Sequence, residues 1–330
     1  MKKNVFFLLV SFLAVTLIMG GCGSPSKPAA KYPEKAMEFV VPYSAGGGSD
    51  ILARLIADIA LKNKFIDTPM QVVNKPGGSG AVGNAYVFSK KGDKFTLMTM
   101  NSGHALSALV NKAEVKAGMM TPIANLALDD ALIAVKADSK YKNFEDLLKA
   151  VKEKPESVII GGVGMGSEDH LCWGMINKET GTKFKWVSFN SSGEALSAVL
   201  GGHVDVGIFN PNEFVDQVKA GKMRPIASYS QKRLTGIFKD VPTFTEMGFP
   251  NINFVQFRSV LGPPDMPKEA VKFWSDTFKK LTETEQWKKD YCDKFMLTNQ
   301  YMDAEKYSQF HKSEETRLLK IADEVGIVKK

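Results

Sequence analysis

Residues suited to metal binding or covalent chemistry are scarce in this chain. Of its 330 residues, three are cysteine and four are histidine. His104, His170, His203 and His311 lie far apart, and no Cys or His pair stands at a recognisable zinc-motif spacing. No metal or other cofactor is expected. The lysines are scattered rather than clustered with aromatics, which leaves nucleic-acid binding without support. No nucleophile-elbow pattern exists. A triad could be imagined from Asp50 or Asp205 with His170 and Ser167. However, Ser167 and His170 fall at the N-cap and N3 positions of one helix, where the hydroxyl bonds backbone rather than attacking a carbonyl. The chain is not expected to be an enzyme. Nor does the charge-free apolar run from Val5 to Met19 suffice to span a membrane, being about 15 residues against the about 20 required.

That run reads instead as an export signal. Lys2 and Lys3 supply its positive end, and Gly20-Gly21-Cys22 closes it with small residues before a cysteine. The ending looks like a bacterial lipobox with Met19 where Leu is more usual. Cleavage before Cys22 and lipidation of its thiol are expected, with residues 22–31 as a flexible tether. Loss of residues 1–21 removes two lysines from a formal net charge of +7, leaving about +5. Such an excess fits anionic lipid or an anionic ligand. Cys172 and Cys292 then remain, and read as two isolated buried thiols rather than a disulfide.

The full chain is 44% hydrophobic in an ordinary globular balance, and its length suits two domains. From Glu38 it alternates strand, glycine-rich turn and helix. Phe39-Val40-Val41 is a strand, Tyr43 to Gly48 a loop, and Ser49 stands where a helix N-cap belongs. Strands at Gln71–Val73 and Phe95–Met100 follow, the latter ending at the turn Asn101-Ser102-Gly103. The middle repeats the pattern. Asn143 caps a helix, Ser157–Ile160 is a strand, Gly161 to Gly166 a glycine-dense turn, and Ser167 opens the next helix. Phe184–Ser188 and Val204–Ile208 are further strands. After Pro263-Pro264 the chain reads as helical almost to its end. This alternation predicts an α/β fold with mainly parallel sheets flanked by helices, arranged as two lobes around a cleft.

Ligands of open α/β sheets bind beyond the carboxyl ends of the strands. Those ends here are Tyr43–Asp50, Asn101–Gly103, Gly161–Ser167, Asn190–Ser192 and Phe209–Asn210. Nearly all are small, amide or hydroxyl residues at helix N-termini, which favour an anion. Gly78-Ser79-Gly80-Ala81-Val82-Gly83 matches a nucleotide fingerprint, but the acid due about 20 residues later is missing, so it reads as a tight turn. Gly46-Gly47-Gly48 exceeds what a turn needs and points to close approach of a ligand to backbone. Asp50 would compete with a bound anion, so capping or ordering the loop is its expected local role.

Read in order, these segments resemble the solute receptors of tripartite tricarboxylate transporters, the Bug receptors. The resemblance rests on Tyr32-Pro33, Phe39 to Asp50 with Ala53-Arg54, and Val72 to Gly80 with Gly83. It continues through Gly164, Gly166-Ser167 and His170-Leu171, then Leu200 to Asp205, Gly221 to Ala227, and Val241 to Phe244 with Glu246 and Gly248. It implies a two-lobe periplasmic-binding-protein fold, type II-like, in which the chain crosses twice between lobes 32–131 with 254–330 and 132–253. Two loops would act as pincers on a carboxylate: Tyr43, Ser44, Ala45, Gly46, Gly47 and Asp50 in the first, Gly164, Met165, Ser167 and His170 in the second. Asn101, Asn190, Asp205 and Asn210 are further candidates. The implied ligand is a di- or tricarboxylate, delivered to a permease of one large and one small membrane subunit. The other reading is a receptor that engages a sensor protein. The chain departs from the family at Tyr43-Ser44, at Phe257–Leu261, and at Glu168-Asp169, whose charge could repel a second carboxylate.

The anchor has a direct test. Cys22→Ser is expected to abolish palmitate labelling and leave an unprocessed or soluble precursor, whereas equal labelling of variant and wild type contradicts lipidation.

Overall fold

The structure is a computed structural model that describes residues 32–328. The signal segment 1–21, the lipidation site Cys22 and the tether 22–31 lie outside the described residues. The first half begins with β1 (Met37–Val41), α1 (Gly48–Lys62), β2 (Met70–Asn74), α2 (Ala81–Phe88), β3 (Thr96–Asn101) and α3 (Ser102–Val110). Next come β4 (Thr121–Asp130), β5 (Leu132–Lys136), α4 (Phe144–Glu153), β6 (Ile159–Val163), α5 (Glu168–Thr180) and β7 (Lys185–Phe189). The rest is α6 (Ser192–Leu200), β8 (Val206–Phe209), α7 (Pro211–Lys219), β9 (Met223–Ser228) and β10 (Val255–Gly262), then α8 (Lys268–Glu283), α9 (Glu285–Trp287), β11 (Thr298–Met302) and α10 (Ala304–Glu324).

Two sheets form, in the orders β11-β4-β10-β3-β1-β2 and β7-β6-β8-β5-β9. The two-lobe α/β architecture is as the sequence implies, but each sheet is mixed rather than mainly parallel. β1 pairs parallel with β2 and β3, and β6 with β7 and β8. The strands that carry the chain between sheets run the other way. β10 is antiparallel to β3 and β4, and β5 to β8 and β9. Ala131 alone separates β4 from β5 at the outward crossing. There the Tyr229 N–H donates to the Ala131 carbonyl at 2.9 Å, and the Phe254 N–H to the Tyr229 carbonyl at 3.0 Å. Three backbone segments are thus pinned side by side where the sheets meet.

The elements follow from their apolar spacing. Leu52, Ala53, Ile56, Ile59 and Ala60 form one buried stripe on α1, packed with Phe39, Val41, Trp274 and Phe278. The second sheet is covered by Phe144, Leu147, Leu171 and Phe184 on one face, and by Phe214 and Phe238 on the other. Leu106 and Val110 of α3, and Leu318 and Ala322 of α10, pack into that same second-sheet core. Both helices therefore bridge the lobes.

Three local expectations change. Gly47, not Ser49, is the N-cap of α1, because the helix starts inside the glycine run and Asp50 and Ile51 both donate to the Gly47 carbonyl at 3.0 Å. Gly161 and Gly162 belong to β6 rather than to the following turn. A Cβ on Gly162 would stand 2.6 Å from the Trp186 ring and 2.7 Å from Asp169, so these glycines admit bulky neighbours to the strand. The tail contains the edge strand β11, whose largely polar Thr-Asn-Gln-Tyr-Met sequence lacks an apolar period. Cys172 and Cys292 are buried free thiols.

Candidate functional site

The carboxyl ends of β1, β3 and β4 face one seam, as do those of β6 and β8. In the first loop, Gly46 has a φ of 87°, a left-handed conformation that favours glycine. Asp50 organises this loop from beneath. Its carboxylate accepts the Gly46 N–H at 2.9 Å, Arg54 at 2.9 and 3.0 Å, and the Asn74 amide at 2.9 Å. Burial raises the Asp50 carboxyl, but these donors outweigh it and hold it below its usual range. Ser44, Ala45, Gly46 and Gly47 stay exposed. The free N–H groups of the first turn of α1 therefore open toward the seam.

The second loop is ordered by its own side chains. Gly164 and Gly166 have φ values of 63° and 76° and present Met165, 60% exposed, at the tip. The Ser167 hydroxyl donates to the Val163 carbonyl and accepts the His170 N–H at 3.5 Å. His170 Nδ1 accepts the Gly166 N–H at 3.1 Å, and its ring stacks 5.2 Å from both Trp173 and Trp186. Burial lowers the His170 pKa, which suits a neutral acceptor. Asp169 accepts the Val163 N–H at 2.7 Å. Ser167 and His170 thus spend these polar contacts on the loop.

Helix α3 is the wall shared by both loops. His104 lies edge-on to Tyr43 at 5.7 Å, and burial drops its pKa to about 4, so it is a neutral ring. A Cβ on Gly103 would sit 1.2 Å from Glu168 Oε2, and one on Gly166 would sit 3.1 Å from Val110. Asn101 caps α3, accepting the His104 N–H at 2.8 Å.

Behind these loops lies a cluster of charge. Arg258 Nε donates to Asp129 Oδ2 at 3.0 Å, and its terminal nitrogen bonds the same oxygen. Both residues are buried. A Cβ on Gly48 would lie 3.2 Å from the guanidinium, which therefore stands under the first turn of α1. Burial raises the Asp129 carboxyl while Arg258 opposes the shift. Burial and Asp129 push Asp130 up to about 7. Burial pushes Glu213 up to about 7, although it accepts the Asn210 N–H at 2.8 Å. Asp169 is raised well above its ordinary range by burial and then by Glu168 and Glu213.

Most residues singled out in the sequence converge here. Asn210 is buried, and its amide donates to the Asp130 carbonyl at 3.0 Å across the sheets. Asn190 follows edge strand β7 on the exposed rim, bonded to Glu194. Asp205 is not brought to the seam. It precedes β8 at the opposite end of the sheet and accepts the Ile159 N–H at 2.9 Å, a role in strand pairing. Sequence reading missed Gln256, Arg258, Asp129, Asp130 and Glu213. A signal existed for two of them. Arg258 interrupts the apolar run around Phe257, and a cation in a buried strand demands an acid, which Asp129 at the end of β4 supplies.

A two-lobe α/β fold with strand-end loops closing on one seam is the architecture of a solute-binding receptor. Over residues 52–327 the chain matches the family described as "Tripartite tricarboxylate transporter family receptor". It belongs to that family, and is a binding protein rather than an enzyme. It is 26% identical to "UPF0065 protein in gbd 5'region" of Cupriavidus necator, across 100% of this chain and 99% of that protein. Its fold is similar to a solved periplasmic transporter at 26% identity, with a TM-score of 0.81 over 90% of this chain and 99% of that one. A Rhodopseudomonas palustris protein solved with adipate has a TM-score of 0.82 at 24% identity, over 89% of this chain and 98% of that one.

The raised carboxyls set a pH dependence. Asp130 and Glu213, at about 7, lie above their unfolded values, so the folded state holds the extra protons and loses stability as pH rises through 7. Above pH ~6.5 an unfolded histidine is mostly neutral too, which leaves the raised carboxyls, Asp169 among them, to dominate. Urea unfolding is expected to show a loss on the order of 1 kcal/mol per group between pH ~6.5 and ~8, with Asp130→Asn removing its own share of the combined loss. Equal slopes in variant and wild type contradict the assignment.

Proposed function

We propose that this receptor works outside the cytoplasm, captures a small carboxylate between its two loops, and delivers it to a permease of one large and one small membrane subunit. The observation that carries this reading is the convergence of the N-termini of α1, α3 and α5 on one seam, with Arg258 beneath α1. Each helix terminus stabilises an anion by about 0.3–1 kcal/mol, and by up to about 2 where partly buried. The exposed run from Ser44 to Gly47 lets the anion reach backbone donors without a side chain in the way. Family membership supports transport, and the adipate found in a protein of the same fold supports a carboxylate.

The lobes are assigned as 32–131 with 254–330 and 132–253, closing about the pinned backbones at Ala131, Tyr229 and Phe254. Lipidation at Cys22 would hold the receptor at the membrane surface. Among the described residues, no helix is long and apolar enough to cross a membrane.

Gly47 separates binding from folding. Its φ is −82°, and a Cβ there meets only the Ser44 carbonyl, at 3.9 Å. Gly47→Val should therefore fold normally. By calorimetry it is expected to bind an acid identified in a thermal-shift screen at least about tenfold more weakly, about 1.4 kcal/mol. Wild-type affinity in this variant would move the site elsewhere.

A further inference from the structure

Glu168 opens α5 in the second lobe, yet its carboxylate belongs to the first. Oε1 accepts from Gln256 Nε2 on β10, and Oε2 lies against the first turn of α3, where a Cβ on Gly103 would be 1.2 Å away. Only a glycine at that position leaves room for the carboxylate. Glu168 also accepts its own backbone N–H at the start of α5. It thus stands at the N-termini of two helices, both favourable to negative charge.

The surroundings make a second anion there unfavourable. Asp129, Asp169 and Glu213 are close behind, and Arg258 already donates to Asp129. Burial raises Glu168, and Asp129 adds to that shift, while the Glu168 backbone N–H and Arg258 oppose it. What the subsite offers is acceptors. Gln256 is 1% exposed, and its Oε1 has no hydrogen-bond partner, beside the carboxylate of Glu168. A buried acceptor without a donor costs about 1–3 kcal/mol, which a ligand donor would relieve.

From this arrangement we infer that Glu168 is a specificity-determining residue. It fills the anion position at the N-terminus of α3 and restricts the receptor to monocarboxylates whose far end donates hydrogen bonds, such as an amide or ammonium. Di- and tricarboxylates are rejected because Glu168 already occupies the position of their second charge. The inference rests on the carboxylate-receptor reading and narrows it.

The test uses the full chain in detergent and matched probes: succinate, glutarate and adipate, each against its half-amide. In wild type the best half-amide is expected to bind at least about tenfold more tightly than its diacid by calorimetry. Glu168→Gln should bring the two within about threefold, by tightening the diacid rather than weakening the amide. Glu168→Ala should do the same, and thermal unfolding of both variants shows whether the fold is kept. A purely structural role would weaken both probes alike and leave their ratio unchanged. An unchanged ratio in both folded variants, or a wild type that prefers the diacid, overturns the role of Glu168 while leaving the carboxylate receptor standing. If neither member of any pair binds wild type or variants, the carboxylate reading itself falls, and the assignment of Glu168 with it.

Discussion

The guanidinium of Arg258 holds the electrostatics of the seam together. It joins β10 to β4 through Asp129, at the end of the first sheet where the chain leaves for the second. It also stands under the first turn of α1, so the glycine loop is backed by a positive charge as well as by a helix terminus. A buried ion pair is poor evidence for stability, since desolvating both charges offsets much of their attraction. Removing one partner is another matter, because an uncompensated buried charge costs about 3–5 kcal/mol. The pair is best understood as fixing geometry. With one cation among Asp129, Asp130, Glu168, Asp169 and Glu213, the acids must share protons or stay apart. Burial first, and repulsion among these acids second, raises the carboxyls.

The two loops solve a common problem differently. The first is shaped by Asp50 from below, which takes the Gly46 N–H, and leaves Gly47 exposed at the start of α1. The second spends Ser167, Asp169 and His170 on its own order, and its His170 ring packs against Trp173 and Trp186. A flexible arm would lose entropy on gripping a ligand, whereas a preordered one has lost it already. The crossings at Ala131 and Phe254 are backbone-paired, while α3 and the end of α10 pack into the second-sheet core.

Much of this was legible in the sequence because it depends on local rules. The strand, glycine turn and helix of residues 39–60 announce themselves through apolar spacing and the glycine run, and the role of Asp50 as loop organiser follows from its place near a helix N-terminus. What was not legible depends on partners distant in sequence. The antiparallel entry of β10 between β3 and β4 leaves no local mark. Nor does the meeting of Glu168 with Gly103, which are brought together only when the lobes fold against each other. Gly161 and Gly162 read as a turn because glycine has the same signature whether it bends the chain or admits a tryptophan. Asp205 misled for a related reason. It adjoins a strand whose far end meets the seam, and only the strand's direction shows which end that is.

The central claim is that one seam between the two loops binds an organic acid through backbone donors at the start of α1. The most direct measurement is a crystal structure with the tightest acid from a thermal-shift screen. The account predicts density for a carboxylate within about 3 Å of the N–H groups of Gly47 and Gly48, with the far end of the ligand directed at Glu168 and Gln256. Ligand density outside the seam, or in it with no contact to the glycine loop, would contradict the account.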